Sequence, residues 1–394
     1  MSTRRALFLG LLASSGCASP APPEAAPPRA AEAPAAPAEP ALSASASSAP
    51  AEHRIVVKRR VPEGDVLALA MGSSSCALIR DKGVHCWGFV PLGAMIQAFQ
   101  TTPVHMPGIE HAVATQIPRG SINRQHLNTP EAFWLHEDGR LRFLGVEPSK
   151  LLDGLGEIVQ LDERHALDAT GAVHSLMNGI TPPVVSGPAR RLSTAESSGC
   201  VVLESGGVEC WGFNGWGTLD KAAPVRGVED AVDVAAGREH ACALRKDGAV
   251  LCWGSGFQGN LGDGNTARGP RGPVRVSGID DAEQIATSPL SWTTCAIRKG
   301  GRLSCWGSSG EWFDKAKIEA GPVDVVERDV TLVTASRALC YATKAGEVRC
   351  AGFSHIVNKK GAPVLGGDDR KDAFYGKKPT DFRTMLRASD VKAR

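Results

Sequence analysis

Five times in this chain two cysteines stand ten positions apart: Cys76/Cys86, Cys200/Cys210, Cys242/Cys252, Cys295/Cys305 and Cys340/Cys350. Each pair brackets a glycine near its middle (Gly83, Gly206, Gly248, Gly301 and Gly346) with short apolar runs on both sides. In the clearest copy, Val234 to Gly264, the runs Ala241 to Leu244 and Ala249 to Trp253 read as the arms of a tight antiparallel hairpin. Lys246-Asp247-Gly248 is its three-residue loop, with Gly248 where a positive φ is needed. Reflection about Asp247 sets Cys242 opposite Cys252. Directly opposed residues have Cα atoms about 4.5–5.5 Å apart, within reach of a disulfide.

Two further copies lack cysteine. Aligning Gly139 on Gly248 puts Phe133 and Phe143 at the cysteine positions, and aligning Gly171 puts His165 and Ser175 there. Both cysteines are lost together in each, so no half-pair is left over, as a bond inside each copy requires. The copies start at positions 76, 133, 165, 200, 242, 295 and 340, a mean pitch of 44 residues. That pitch suits one propeller blade per copy. The expected fold is therefore all-β: a seven-bladed β-propeller of four-stranded antiparallel blades, residues 54–365.

Each full copy supplies an approach strand, two hairpin arms and an outgoing Pro-Val strand. Asp233 to Ala236, Val66 to Ala70 and Glu283 to Ala286 are approach strands; Pro273 to Ser277, Pro103-Val104, Pro224-Val225 and Pro322 to Val326 are outgoing ones. Blades buried on both faces should show nearly continuous apolar strands, and these do. Ring closure is assigned to Ile55-Val56-Val57, expected to complete the last blade, with Ala362-Pro363-Val364-Leu365 as the rival. Residues 366–394, charged and mixed in sign, read as a solvated tail.

The eleventh cysteine lies elsewhere. Arg4-Arg5, the apolar run Ala6 to Ala13 and Ser14-Ser15-Gly16 form an export signal (residues 1–17), too short to remain as a membrane span. Cys17, directly after Gly16, resembles the lipidated cysteine of bacterial lipoproteins, although Ser14 stands where that pattern prefers leucine. Residues 18–53 are dominated by Ala, Pro and Ser, a composition that cannot bury enough apolar surface to order itself. They read as a disordered tether between a membrane and the head.

The copy at Ala236-Gly237, Cys242-Ala243-Leu244, Asp247-Gly248, Cys252-Trp253-Gly254 and Gly256-Phe257-Gln258-Gly259-Asn260-Leu261-Gly262 resembles the repeats of the regulator of chromosome condensation family. Trp87-Gly88, Trp211-Gly212 and Trp306-Gly307 echo it, and His240 fits the family's usual histidine. The resemblance implies a seven-bladed propeller. Some members exchange nucleotide on a small nuclear GTPase and some bacterial propellers inhibit beta-lactamases through an aromatic face, so it leaves the partner open.

Structural zinc wants four ligands, usually as pairs two to four residues apart; nine intervening residues and no recurrent histidine argue for disulfides instead. The run Gly254 to Gly264 lacks the Lys-Ser/Thr of a phosphate loop and reads as a tight blade-to-blade connection. Trp87, Trp211, Trp253 and Trp306 follow the second cysteine and read as packing between blades. Trp216, Trp292 and Trp312 fall off that position, in expected loops, and with Phe257 and Phe313 are the candidate partner-binding residues. The ten histidines and the carboxylates form no recurrent catalytic spacing, so no catalytic residue, metal or cofactor is assigned. A formal charge of +2 gives no reason to expect a nucleic-acid partner. The expected function is a non-catalytic, envelope-tethered head binding a protein or glycan; the alternative is a secreted hydrolase or lyase built from distant loops.

Overall fold

The protein, seen as a computed structural model, is described at residues 64–71, 74–91, 97–106, 112–116, 132–136, 140–144, 155–162, 165–176, 184–195, 198–212, 221–287, 292–308, 318–326, 328–335, 338–352 and 383–391. The chain folds back on itself in successive antiparallel meanders, each paired in chain order. The first sheet holds β1 (Val66–Met71), β2 (Ser74–Ile79), β3 (Gly83–Pro91) and β4 (Gln97–His105). The second holds β5 (Ala112–Gln116), β6 (Ala132–His136) and β7 (Leu141–Leu144), and the third β8 (Ile158–Asp162), β9 (His165–Asp168) and β10 (Val173–Ser175). The fourth comprises β11 (Ala189–Thr194), β12 (Gly199–Leu203), β13 (Val208–Trp211) and β14 (Ala223–Pro224); the fifth β15 (Ala231–Ala236), β16 (His240–Arg245), β17 (Val250–Ser255) and β18 (Pro270–Arg275). The sixth comprises β19 (Ala282–Thr287), β20 (Trp292–Arg298), β21 (Arg302–Ser308) and β22 (Ile318–Val326); the last β23 (Val330–Ala335), β24 (Ala338–Thr343), β25 (Glu347–Gly352) and β26 (Arg383–Arg387). No helix among the described residues is long and apolar enough to cross a membrane.

The architecture is an all-β propeller with four-stranded antiparallel blades. The expectation of seven four-stranded blades is overturned: among the described residues five sheets have four strands, and the second and third have only three. In the third copy, Val184, where an outgoing strand is due, instead makes a parallel bridge to Lys221, and Ser186 donates its N–H and hydroxyl to the buried Glu209 carboxylate of β13. The two prolines just before Val184 cannot donate to a ladder, which favours leaving the sheet there.

The register of the hairpins is the one the cysteine spacing requires. Cys76 stands opposite Cys86, Cys200 opposite Cys210, Cys242 opposite Cys252, Cys295 opposite Cys305 and Cys340 opposite Cys350. All five pairs are bonded. Their Cα atoms are 4.0–4.1 Å apart, which corrects the wider separation expected of directly opposed residues. The second cysteine also marks a departure from an even outer ladder. Pairing with the outgoing strand shifts register between Cys86 and Gly88, between Cys252 and Gly254, and between Cys305 and Gly307. The tryptophan between each cysteine and glycine sits within that irregularity.

The cysteine-free copies keep the hairpin register: Phe133 faces Phe143 and Ser175 faces His165. Every sheet also shares a feature invisible as a motif, a register shift near the start of its first strand, in β1, β5, β8, β11, β15, β19 and β23 alike. Such bulges sharpen the local twist, as a fan of tilted sheets demands.

Neighbouring residues on a strand point to opposite faces, so a cysteine and the tryptophan that follows it cannot share a side. Cys242 and Cys252 pack forward against Ile285, Ala296 and Trp306 of the sixth sheet. Cys76 and Cys86 likewise meet Trp134 of the second sheet, and Cys295 and Cys305 meet Val333, Leu339 and Tyr341 of the last. Trp253 packs backward against Cys200, Cys210 and Val225 of the fourth. Trp87, Trp211 and Trp306 are buried against the preceding sheet in the same manner.

Backbone joins the sheets too. The carbonyl of the hairpin glycine accepts the N–H of the residue opening the next sheet: Gly248 from Ala282 and Gly206 from Ala231, each at 3.0 Å. Gly248 has φ +83°, and a Cβ there would lie 2.6 Å from the Asp280 carbonyl oxygen. Both the turn and the close approach therefore exclude any side chain.

Closure departs from the expected route. The fourth strand of the last sheet is β26, paired with β25, so the 366–394 segment is not simply a tail. Ile55–Val57 and Ala362–Leu365, the two expected candidates, lie outside the described residues. After β26 the chain reaches the first sheet: Ala388 donates its N–H to Gly346 and accepts from Lys82 Nζ at 2.7 Å. Leu386 and Ala388 share an apolar cluster with Cys340 and Cys350 of the last sheet and Val66, Ile79 and Trp87 of the first.

Candidate functional site

The junction of the fifth and sixth sheets carries an aromatic and cationic cluster at one rim. The three residues Gly237–Glu239 connect β15 to β16, and the imidazole of His240 fills the space a Gly237 Cβ would need. Gly237 N–H donates to the His240 carbonyl and Ser255 N–H to the Glu239 carbonyl, so the loop closes down and leaves Arg238 and Glu239 exposed. Phe257 lies in the β17–β18 connection and Trp292 opens β20; both are half-buried. Their rings meet edge to face, centroids 5.5 Å apart, and the Arg238 guanidinium carbon lies 5.0 Å from the Trp292 ring centroid. Trp292 is seated by its own carbonyl: a Cβ on Gly307 would collide with that oxygen, so only glycine lets β21 pass.

Beneath the rim lies a polar underpinning. His240 and Thr294 are fully buried, with Nε2 of the imidazole 2.7 Å from the threonine Oγ1 across the sheet junction. The glycine-rich run reaches the same junction. Asn260 donates its amide to the Ser255 carbonyl at 2.6 Å and accepts at its own backbone oxygen from Trp306 Nε1 at 3.1 Å. Gly264 N–H donates to Ala320 of β22. The run Gly254 to Gly264 thus links sheets.

Burial pushes the His240 imidazole down to about 3, so it is neutral at ordinary pH. In the unfolded chain it would titrate near 6.5. The depressed folded value means that its contribution is complete above about 6.5 and is lost as pH falls toward 3, because only the unfolded state takes up a proton in that window. The expected slope is about 1.4 kcal/mol per pH unit, up to roughly 5 kcal/mol over the window. Urea unfolding from pH 7 to 3 should show this slope, and His240→Gln should flatten it; an unchanged slope in the variant would assign the acid sensitivity elsewhere.

The third sheet shows how a hairpin without cysteines is held. Asp168 accepts from Thr170 N–H, Thr170 Oγ1, Ala172 N–H and His174 Nε2 at 2.6–2.9 Å. Burial would raise this carboxyl, but the hydrogen bonds from Thr170, His174 and Ala172 outweigh it and hold the group below its usual range.

Of the candidates named from sequence, the fold brings Phe257 and Trp292 into contact. Trp216, Trp312, Phe313 and Cys17 lie outside the described residues. The ten paired cysteines, Cys86 and Cys305 among them, are buried between sheets and contribute no group to the rim. Arg238 was not singled out: an arginine after Ala236-Gly237 carries no signal until tertiary structure lays it over an indole from the next sheet. Among the described residues no group of three or more His, Cys, Asp or Glu is placed to hold a metal.

Residues 231–260 match the model of the regulator of chromosome condensation (RCC1) repeat. The chain carries an RCC1 repeat. That repeat opens at β15 and ends at Asn260, so it contains Arg238, His240, the Cys242–Cys252 disulfide and Phe257, one side of the rim cluster. Comparison with curated proteins gives no match. Similar solved structures include yeast RCC1 (Prp20) bound to Kap60, 17% identical with TM-score 0.43 over 74% of this chain and 70% of that one. Human WBSCR16 is 14% identical with TM-score 0.42 over 73% and 77%. Kluyveromyces lactis Hsv2 is 9% identical with TM-score 0.41 over 79% and 98%.

Proposed function

We propose that this chain is a non-catalytic binding head, a β-propeller that engages a protein or glycan through the rim between the fifth and sixth sheets. The observation that carries the reading is the Arg238, Trp292 and Phe257 cluster, two aromatic rings and a guanidinium that makes no ion pair among the described residues. Aromatic residues and arginine are the types that dominate interface energetics. In this reading Cys17 carries a lipid and residues 18–53 form a tether, so that the head stands off a bacterial envelope membrane. Five disulfides suit an oxidising compartment outside the cytosol.

The test is retention from a cell-envelope extract by the immobilised oxidised chain, with bound material identified by mass spectrometry. The wild type should retain a partner that Trp292→Ala and Phe257→Ala, checked for folding by near-UV circular dichroism, retain at least tenfold less. Equal retention by both variants, or turnover of a glycan or ester panel by the chain, would overturn the reading.

A further inference from the structure

Arg238 is the charged group set against the rim's aromatic pair, and among the described residues no hydrogen bond or ion pair uses its donors. The side chain is exposed, its guanidinium lies over Trp292, and it forms no ion pair among the described residues. Nearby arginines differ. Arg271 is paired with Asp263 at 2.5 Å, Arg298 with Asp281 at 2.5 Å, and Arg245 lies 3.6 Å from Asp247. A guanidinium held over an indole face keeps its five N–H donors, and its planar fork matches a carboxylate in two parallel hydrogen bonds. The stack also limits the loss of side-chain freedom on binding.

We infer that Arg238 is the anchor for a carboxylate presented by a protein partner, an aspartate or glutamate side chain on its surface, with Trp292 and Phe257 forming the apolar floor. This rests on the rim reading above and gives it a chemistry. The partner is a protein because an arginine beside two aromatic rings is the combination that anchors protein interfaces, and the guanidinium adds a demand for a carboxylate that a neutral sugar does not meet. Exposed Glu239, next in sequence, makes the complementary demand: it repels a second carboxylate and limits the anchor to one acidic group at a time.

The probe is a capped hexaglutamate peptide, with hexaglutamine and polygalacturonate as comparisons, titrated against the full oxidised chain by isothermal calorimetry at low salt. Hexaglutamate should bind and hexaglutamine should not. Arg238→Ala should weaken hexaglutamate binding at least tenfold, Arg238→Lys severalfold, and Arg226→Ala, an exposed arginine elsewhere, not at all. Glu239→Gln should strengthen it about two- to fivefold by removing the repulsion. Equal binding by Arg238→Ala, equal binding of hexaglutamine, or Arg238-dependent binding of polygalacturonate alone would overturn the inference. If an extract partner is lost with Trp292→Ala and Phe257→Ala but kept by Arg238→Ala, the rim reading stands and the carboxylate anchor falls.

Discussion

Reducing all five disulfides of the intact chain is expected to abolish its cooperative fold under conditions where the oxidised chain is stable. Each bond links residues ten positions apart. By loop-closure entropy each such bond stabilises the fold by roughly 2.8 kcal/mol, and the five together by about 14 kcal/mol. That matches the whole stability of an ordinary folded domain, about 5–15 kcal/mol. Urea unfolding followed by tryptophan fluorescence, with and without reductant, measures it, since Trp87, Trp211, Trp253 and Trp306 all report on sheet contacts. A reduced chain with an unchanged midpoint would contradict the role given to sulfur. Replacing one pair, Cys242→Ala with Cys252→Ala, should cost about 3 kcal/mol plus the packing of the two sulfurs against Ile285 and Trp306. Because the ten cysteines are nearly inaccessible, reduction in native buffer should proceed only as fast as neighbouring sheets separate. Alkylation timed against urea concentration checks that.

Deleting residues 383–394 should be the most damaging truncation. It removes the fourth strand of the last sheet, its ladder to Glu347, Val348, Arg349 and Cys350, and the burial of Leu386 and Ala388 between the last and first sheets. The paired contacts Arg387 to Glu347 and Lys82 to Ala388 go with them. Ladder bonds at about 1 kcal/mol each and the burial of these two apolar side chains total roughly 6–8 kcal/mol. The truncated chain should lose cooperative thermal unfolding and be cut rapidly by trypsin within the last sheet. The milder Leu386→Ala should cost about 2–4 kcal/mol while leaving β26 in place. A truncated chain with the full-length midpoint would show that the ring closes by other means.

Much of the fold was legible because its constraints are local. A cysteine spacing of ten with a central glycine can be met by a three-residue hairpin loop, and the hairpins adopt that register even where Phe133/Phe143 or His165/Ser175 replace the bond. The turn glycines were legible for the same reason: positive φ at Gly248 is a demand of its own loop. What failed to read were pairings set by distant residues. The closing strand, Arg383–Arg387, carries two arginines and a threonine and gives no strand pattern: Thr384 and Arg387 face solvent, and Leu386 is buried. The third copy's outgoing segment joins the fourth sheet through Lys221 and Glu209, partners 23 or more residues on that no local pattern names.

Sequence by itself determined the repeating unit, the five disulfides and the tryptophans that pack beside them, since each follows from spacing along one strand or one hairpin. Only tertiary structure decided which sheet each side chain meets: that the sulfurs face forward and the indoles backward, that β26 closes the last sheet, and that Arg238, Phe257 and Trp292 share a rim. These residues come from two connections and the start of a strand, on two sheets, and the angle at which those sheets pack sets their distances. Contacts across such a junction depend on the summed twist and bulges of both sheets, a property of the assembled ring and of no single stretch of chain.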